Sequence, residues 1–191
     1  PTSLGFHLPL RPEPRWVNTR PRPMEQPRPP VWIPGGGSVE TWDLCAERDF
    51  VYAALSYYGH LVGKESMDGF WEAVERAGRD DNPYRAGFLQ FVGVADTDAE
   101  AYRLYKEPAE YFFQRSLHFY PGFVDPPGYT SEASVRRKLQ SSVRAAAMTT
   151  QASGGPTWDE MLERGYVVIG SPDTVREKLE HVARTLHVGH L

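Results

Sequence analysis

Short apolar runs alternate with longer amphipathic stretches over most of the chain. Runs that are largely apolar at successive positions are typical of strands covered on both faces, and we predict strands at 31–34, 51–56, 87–95 and 187–191. A further apolar run, 167–170, leads directly into a helix. Apolar side chains at helical spacing predict helices over 61–78, 131–147 and 172–186, with others from 38 to about 48 and from 97 toward 120, the last broken near Pro108. Such alternation is typical of a parallel α/β fold.

Residues that favour helix N-termini stand where these helices should begin. Ser38 is expected to accept hydrogen bonds from the first-turn amides of its helix. Capping-box patterns begin at Thr97 and Thr157, and Ser171 precedes a proline at the first helical position. These signals place the starts of four helices.

Proline is concentrated at the start of the chain. Ten of the 17 prolines fall within the first 34 residues, together with several arginines, so we predict an extended Pro/Arg-rich segment over 1–30. This segment is either a solvated connecting loop or a surface that lies against a neighbour or guides an anion.

Composition limits the classes of function. A length of 191 residues suits about one domain, and a formal charge of −4 argues against a nucleic-acid partner. No apolar run approaches about 18 residues, so we expect no membrane span. One cysteine, Cys45, leaves no disulfide framework and no multi-cysteine zinc site, and we expect a buried thiol and a cytoplasmic protein. The first residue is not Met, which suggests part of a longer chain.

The strongest local signal for chemistry is the turn Gly35–Gly36–Gly37–Ser38 between the first strand and its helix. Glycines let backbone approach a ligand closely, and exposed amides at a helix N-terminus attract phosphate. Ser38 adds a hydroxyl, and Thr41 is a weaker candidate donor. The pattern is neither a Walker A loop nor GxGxxG. A tight turn with a routine cap stays open as the alternative.

The other chemistry-bearing side chains give weaker signals. Tyr57 follows the second strand directly and either stacks on a planar cofactor or packs in the core. The six histidines show no zinc-binding spacing, so no metal site is predicted. His187 and His190 should point to opposite faces of the last strand. All six histidines are interpreted first as exposed or core side chains, and His190, at a strand end, is the one that is hardest to dismiss as a site residue. No catalytic residue is identified.

Three separated segments resemble the bacterial luciferase-like flavin-dependent monooxygenases. They are PRPMEQPRPPVWIPGGGS, then ETWDLCAERDFVYAALSYYG, then VIGSPDTVREKLEHVA, in the family's order, with VADTDAEAY between the last two. The resemblance covers residues 20–191 and implies a TIM-type (β/α)8 barrel that binds reduced FMN, or a deazaflavin in related branches. It implies phosphate contacts at Gly36, Gly37 and Ser38, with Thr41 as a weaker candidate. Ser56 and Tyr57 would lie at the flavin ring, where the family often has Trp.

The resemblance also implies that the chain is incomplete. Counting four strands against the eight of a barrel predicts the C-terminal half of one domain, with a mobile lid over 121–165 before the last helix and strand. We expect the chain alone to be inactive and its parent to be an oligomer that uses O2 and a small organic substrate, with a reductase supplying reduced flavin. A deazaflavin-dependent oxidoreductase, a non-catalytic barrel-derived subunit and an unrelated phosphate-binding α/β enzyme are the alternatives.

Overall fold

The computed structural model describes residues 24–25, 28–116, 131–141 and 154–191. The chain divides into two units, Pro1–Pro30 and Val31–Leu191, and every element described below belongs to the second. Most of the extended segment predicted over 1–30 lies outside the described residues. So do residues 121–130 and 142–153 of the predicted lid.

Strands and helices alternate along the described part of the chain. In order they are β1 (Trp32–Gly35), α1 (Val39–Arg48), β2 (Val51–Leu55), α2 (Gly59–Arg76), β3 (Ala86–Leu89), β4 (Phe91–Val94), α3 (Asp98–Tyr111), α4 (Glu132–Gln140), α5 (Trp158–Glu163), β5 (Val167–Gly170) and α6 (Pro172–Leu186). A 3-10 turn, Pro83–Arg85, precedes β3, and a π-helical turn, Phe112–Ser116, follows α3.

The described strands form parallel sheets. One sheet has the order β1–β2–β3, and the other pairs β4 with β5. Gly35 of β1 lies beside Ala54 of β2, which lies beside Phe88 of β3, so these three strands end at one edge. The prediction of a parallel α/β fold is confirmed.

The apolar run predicted as one strand over 87–95 is two strands that belong to different sheets. Gln90 interrupts it, because its side-chain Nε2 donates to the backbone oxygens of Gly165 and Tyr166 at 3.3 and 3.2 Å. These bonds hold the chain at the point where it leaves β3 for β4. A single polar residue within an apolar run therefore marks a break rather than an exposed strand position.

The strand predicted over 187–191 does not form as a regular strand, because His187 and Val188 complete the end of α6. His187 has φ +52° and caps the helix, and the amide of Val188 donates to Ala183 at 3.0 Å. One isolated parallel bridge remains, between His190 and Gly87. His187 and His190 therefore do not lie on opposite faces of a strand.

Helix α3 passes through Pro108 rather than breaking there. The regular helix ends at Tyr111 and its hydrogen bonding widens to the π type over Phe112–Ser116, shortly after the residue that has no N–H to donate. The predicted N-terminal caps at Thr97, Thr157 and Ser171 are confirmed, since each hydroxyl accepts a hydrogen bond from a first-turn amide.

Two hydrophobic clusters form the described core. The first lies where the three-stranded sheet meets α1, α2 and α6, and the second surrounds β5, α3 and α5. Strand β5 belongs to both, since Val168 lies in the first cluster while Val167 and Ile169 lie in the second. Cys45 of α1 is 1% exposed, and burial raises the pKa of its thiol to about 11, which confirms the prediction of a buried cysteine.

Candidate functional site

The carboxyl-terminal edge of the three-stranded sheet carries most of the residues that the sequence singles out. The chain leaves β1 through Gly36 and Gly37, leaves β2 through Ser56 and Tyr57, and leaves β3 through Gln90. Because the strands are parallel and in register, these exits lie along the same edge. Ligands of parallel α/β proteins bind at such edges.

The glycine turn after β1 has open backbone. A Cβ on Gly36 would meet nothing within 4 Å, and Gly37 has φ +104°, which strains any L side chain. The turn is fixed from beneath, where the Tyr52 hydroxyl donates to the Gly35 oxygen at 3.1 Å and lies 3.2 Å from the Ser66 hydroxyl. Its geometry permits close approach of a ligand at Gly36.

Ser38 occupies the N-cap position of α1, but its hydroxyl makes no cap hydrogen bond. Instead it donates to Oε2 of Glu40 at 2.8 Å. The Val39 amide, which a ligand oxygen would need, donates to Oγ of Ser134 on α4 at 3.0 Å. The amide of Thr41 bonds to the Ser38 carbonyl at 3.1 Å.

Glu40 places a carboxylate at the N-terminus of α1. It accepts hydrogen bonds from Ser131, Ser38 and Ser134, and these bonds, that from Ser131 foremost, lower its pKa to about 2. Its first-turn position was a readable signal for an anion at a helix N-terminus. Ser131 and Ser134 lie more than 90 residues from Glu40 in sequence, so no local sequence pattern predicts that they bond to it.

In this arrangement the site does not fit a flavin phosphate. Gly36 and Gly37 are accessible, but the Ser38 hydroxyl and the Val39 amide are already engaged. A phosphate at this helix end would also face the Glu40 carboxylate, and the two negative charges would repel each other. The donors suit an anion, and the chain supplies that anion itself.

The two predicted ring-contact residues differ in their surroundings. Ser56 ties the turn into α2, since its hydroxyl donates to the Gly59 oxygen at 3.0 Å and accepts from the Tyr58 amide at 3.3 Å. Tyr57 is half-buried, with its ring centroid 6.3 Å from that of Phe91 at the start of β4. Of the two, Tyr57 has the side chain that extends toward the start of β4.

Gln90 is a polar residue at this edge that the sequence reasoning missed. Its amide nitrogen is fully used, while its Oε1 is buried and has no hydrogen-bond partner among the described residues. The signal was available in the sequence, as the lone amide in the run GFLQFVGVA. His190 lies elsewhere, with its ring 4.6 Å from that of Trp32, the first residue of β1.

The N-terminus of α6, in the GSPDTV segment, also holds a carboxylate of the chain. Ser171 caps the helix through the Thr174 amide, and Asp98 accepts from the Ser171 amide at 2.6 Å and from the Thr174 hydroxyl at 3.1 Å. These bonds lower the pKa of Asp98. This helix end links β4 to β5 within the described fold.

The described residues contain neither a cluster of metal ligands nor a helix that could span a membrane. No group of three or more His, Cys, Asp or Glu side chains in the described ranges is placed to hold a metal ion. Among the helices that the structure describes, none combines the length and apolar character needed to cross a membrane.

The sequence matches the family described as luciferase-like monooxygenase over residues 6–188. No curated protein matches the chain. Solved structures that are similar to it in fold include the following three.

The first is the oxygenating constituent of 3,6-diketocamphane monooxygenase from Pseudomonas putida, a type II Baeyer–Villiger monooxygenase, in complex with FMN. The two chains are 23% identical, and their structures superpose with a TM-score of 0.56 over 86% of this chain and 41% of that one. The second, monooxygenase RslO1 from Streptomyces bottropensis, has a TM-score of 0.53 and 10% identity, covering 90% and 42%. The third, MsnO8 in its apo form, has a TM-score of 0.50 and 24% identity, covering 92% and 47%. The chain thus spans less than half the length of each.

Proposed function

The chain belongs to the luciferase-like monooxygenase family, and we propose that it supplies the flavin-phosphate-binding half of a (β/α)8 barrel. The complete protein would use reduced FMN and O2 to oxidise a small organic substrate. A flavin supplies the redox chemistry in such enzymes, and the protein binds and orients it. The parallel α/β fold and the family match support this proposal.

The observation that carries the proposal is the glycine turn at the carboxyl-terminal edge of the sheet. Gly36 is open to solvent, Gly37 adopts a backbone conformation that favours glycine, and a ten-residue helix begins directly afterwards. This combination suits the approach of a phosphate once the Ser38 hydroxyl and the Val39 amide are released from Glu40 and Ser134. We propose Gly36, Gly37 and Ser38 as phosphate contacts, Thr41 as a weaker one, and Tyr57, with Ser56 beside it, as the residues nearest the flavin ring.

The experiment is a titration of the chain with FMN and, separately, with riboflavin, which lacks the phosphate, followed by flavin fluorescence. We expect weak binding of FMN and weaker binding of riboflavin. Gly36→Asp should lower FMN affinity at least about tenfold, because it adds a negative charge beside the phosphate without a steric clash.

The matched control is Gly78→Asp. Gly78 also has open space around its Cβ position and lies beyond the end of α2, so FMN affinity should stay unchanged. Its φ of +66° strains most L side chains, but Asp tolerates this conformation better than most. Equal binding of FMN and riboflavin, or equal effects of the two substitutions, contradicts the proposal. Binding of a deazaflavin cofactor with rejection of FMN favours a deazaflavin-dependent oxidoreductase. Oxygenation of an organic substrate by the chain alone, when reduced FMN and O2 are supplied, contradicts a half-barrel role.

A further inference from the structure

The N-termini of two helices meet at one carboxylate. Glu40 stands in the first turn of α1, and its Oε1 accepts a hydrogen bond from Ser131, which directly precedes α4. The same Ser131 hydroxyl accepts from the Ser134 amide at 3.1 Å, so it caps α4 while it binds Glu40. Because helix N-termini carry partial positive charge, both helices favour an anion at this point.

Ser134 accepts the hydrogen bond of the first backbone amide of α1. Its side chain is fully buried, its hydroxyl accepts from the Val39 amide at 3.0 Å, and it donates to Oε2 of Glu40 at 2.8 Å. The hydroxyl thus occupies the position that a phosphate oxygen would need at that amide. A phosphate can reach the amide only if Ser134 moves away.

The rest of α4 is attached through polar contacts. The Arg137 guanidinium lies 4.5 Å from the Trp42 ring centre and donates to the Glu65 backbone oxygen at 3.1 Å. The apolar side chains of α4 point away from the core, since Val135 is 41% and Leu139 is 65% exposed. Helix α4 can therefore leave this surface without pulling apolar side chains of its own out of the core.

We propose that Glu40 and α4 form an autoinhibitory contact that closes the N-terminus of α1, and that a phosphate-bearing ligand binds by displacing both. This inference rests on the proposed function, since it assigns the regulation of the same site. The ligand class is a phosphate monoester, for which FMN and inorganic phosphate are the probes. The contact keeps the helix end satisfied while the ligand is absent.

The test uses Glu40→Gln and Ser134→Ala in the full chain, with Glu132→Gln as the matched control. Glu132 undergoes the same chemical change on α4, but it is 80% exposed and pairs only with Arg136 among the described residues. Two quantities are measured for each variant. One is the affinity for FMN and inorganic phosphate, and the other is hydrogen–deuterium exchange in the peptide 131–141.

We expect Glu40→Gln to speed exchange in α4 about tenfold without ligand, because it removes a charged acceptor from two hydroxyls. Both test variants should bind FMN more tightly than the unsubstituted chain, and Glu132→Gln should not. In the unsubstituted chain, FMN and inorganic phosphate should speed exchange in α4. Riboflavin should leave it unchanged.

Two results overturn the inference and leave the proposed function standing. One is FMN binding that slows exchange in α4 or leaves it unchanged, and the other is weaker FMN binding by Ser134→Ala, which would make Ser134 a ligand of the phosphate. Failure of the unsubstituted chain and of Glu40→Gln to bind either FMN or phosphate overturns both proposals. The affinity and exchange data together therefore separate the two failures.

Discussion

At the scale of single residues, the chemistry of the site depends on which groups bind the carboxylate of Glu40. Its hydrogen bonds favour the charged form and lower its pKa from the ordinary value of 4.5 to about 2. The interactions of this carboxylate therefore stabilise the fold fully above pH 4.5 and are lost as the pH falls toward 2.

We predict that the Glu40 carboxyl titrates near pH 2 by NMR, and that replacing Ser131 and Ser134 together with Ala moves the midpoint back toward 4.5. A Glu40 titration midpoint near 4.5 in the unsubstituted chain would refute the contact with α4.

The limits of sequence reasoning also show at this scale. The glycine turn and the serine before α1 were the strongest local signal, and the structure places them at the carboxyl-terminal edge of the three-stranded sheet. The long-range partners of this helix end were not visible, because Ser134 comes near Ser38, and Ser131 bonds to Glu40, only through the packing of α4 on α1. Local patterns define donors well, but the acceptor that a donor finds depends on tertiary structure.

At the scale of elements, two helices begin with the same residue type and end up capped differently. The Ser171 hydroxyl accepts from the Thr174 amide, whereas the Ser38 hydroxyl makes no cap bond to α1. We predict that Ser171→Ala lowers the free energy of unfolding by about 1 kcal/mol. Ser38→Ala should change it by less than about 0.5 kcal/mol, because Ser134 already accepts from the first amide. Urea denaturation measures both, and equal losses would contradict the assignment.

Element boundaries were predictable where local chemistry decides them. Caps at Thr97, Thr157 and Ser171 follow from hydrogen bonds within one helical turn. The boundary at Gln90 depends on carbonyls about 75 residues away in sequence. The end of α6 depends on His187, which has a positive φ, and the pattern of apolar residues predicted neither boundary correctly. Hydrogen bonds between distant residues and residues with a left-handed backbone conformation cannot be predicted from hydrophobic periodicity.

At the scale of the whole molecule, the two hydrophobic clusters share β5. Val168 is 1% exposed in the first cluster, between neighbours that belong to the second. We predict that Val168→Ala costs about 2 kcal/mol of stability and that unfolding stays a single transition, because β5 couples the clusters. The control, Val92→Ala, removes a half-exposed side chain from β4 and should cost less than about 1 kcal/mol.

Tryptophan fluorescence and circular dichroism together measure that transition. Trp42 lies in the first cluster and Trp158 in the second, so fluorescence covers both. Separate midpoints for the two probes would show that the clusters unfold independently. The parallel α/β class was readable from alternation of elements, but the sharing of one strand between two clusters was not, since it depends on which face each β5 residue presents.

The buried thiol of Cys45 can report how often the first hydrophobic cluster opens. Only a thiolate reacts with alkylating reagents, and Cys45 is both enclosed in the first cluster and held protonated at neutral pH. Its alkylation rate therefore equals the intrinsic rate multiplied by the fraction of molecules in which that cluster is open. Since the sequence contains one cysteine, the count of labelled molecules reports this opening directly, with no engineered probe.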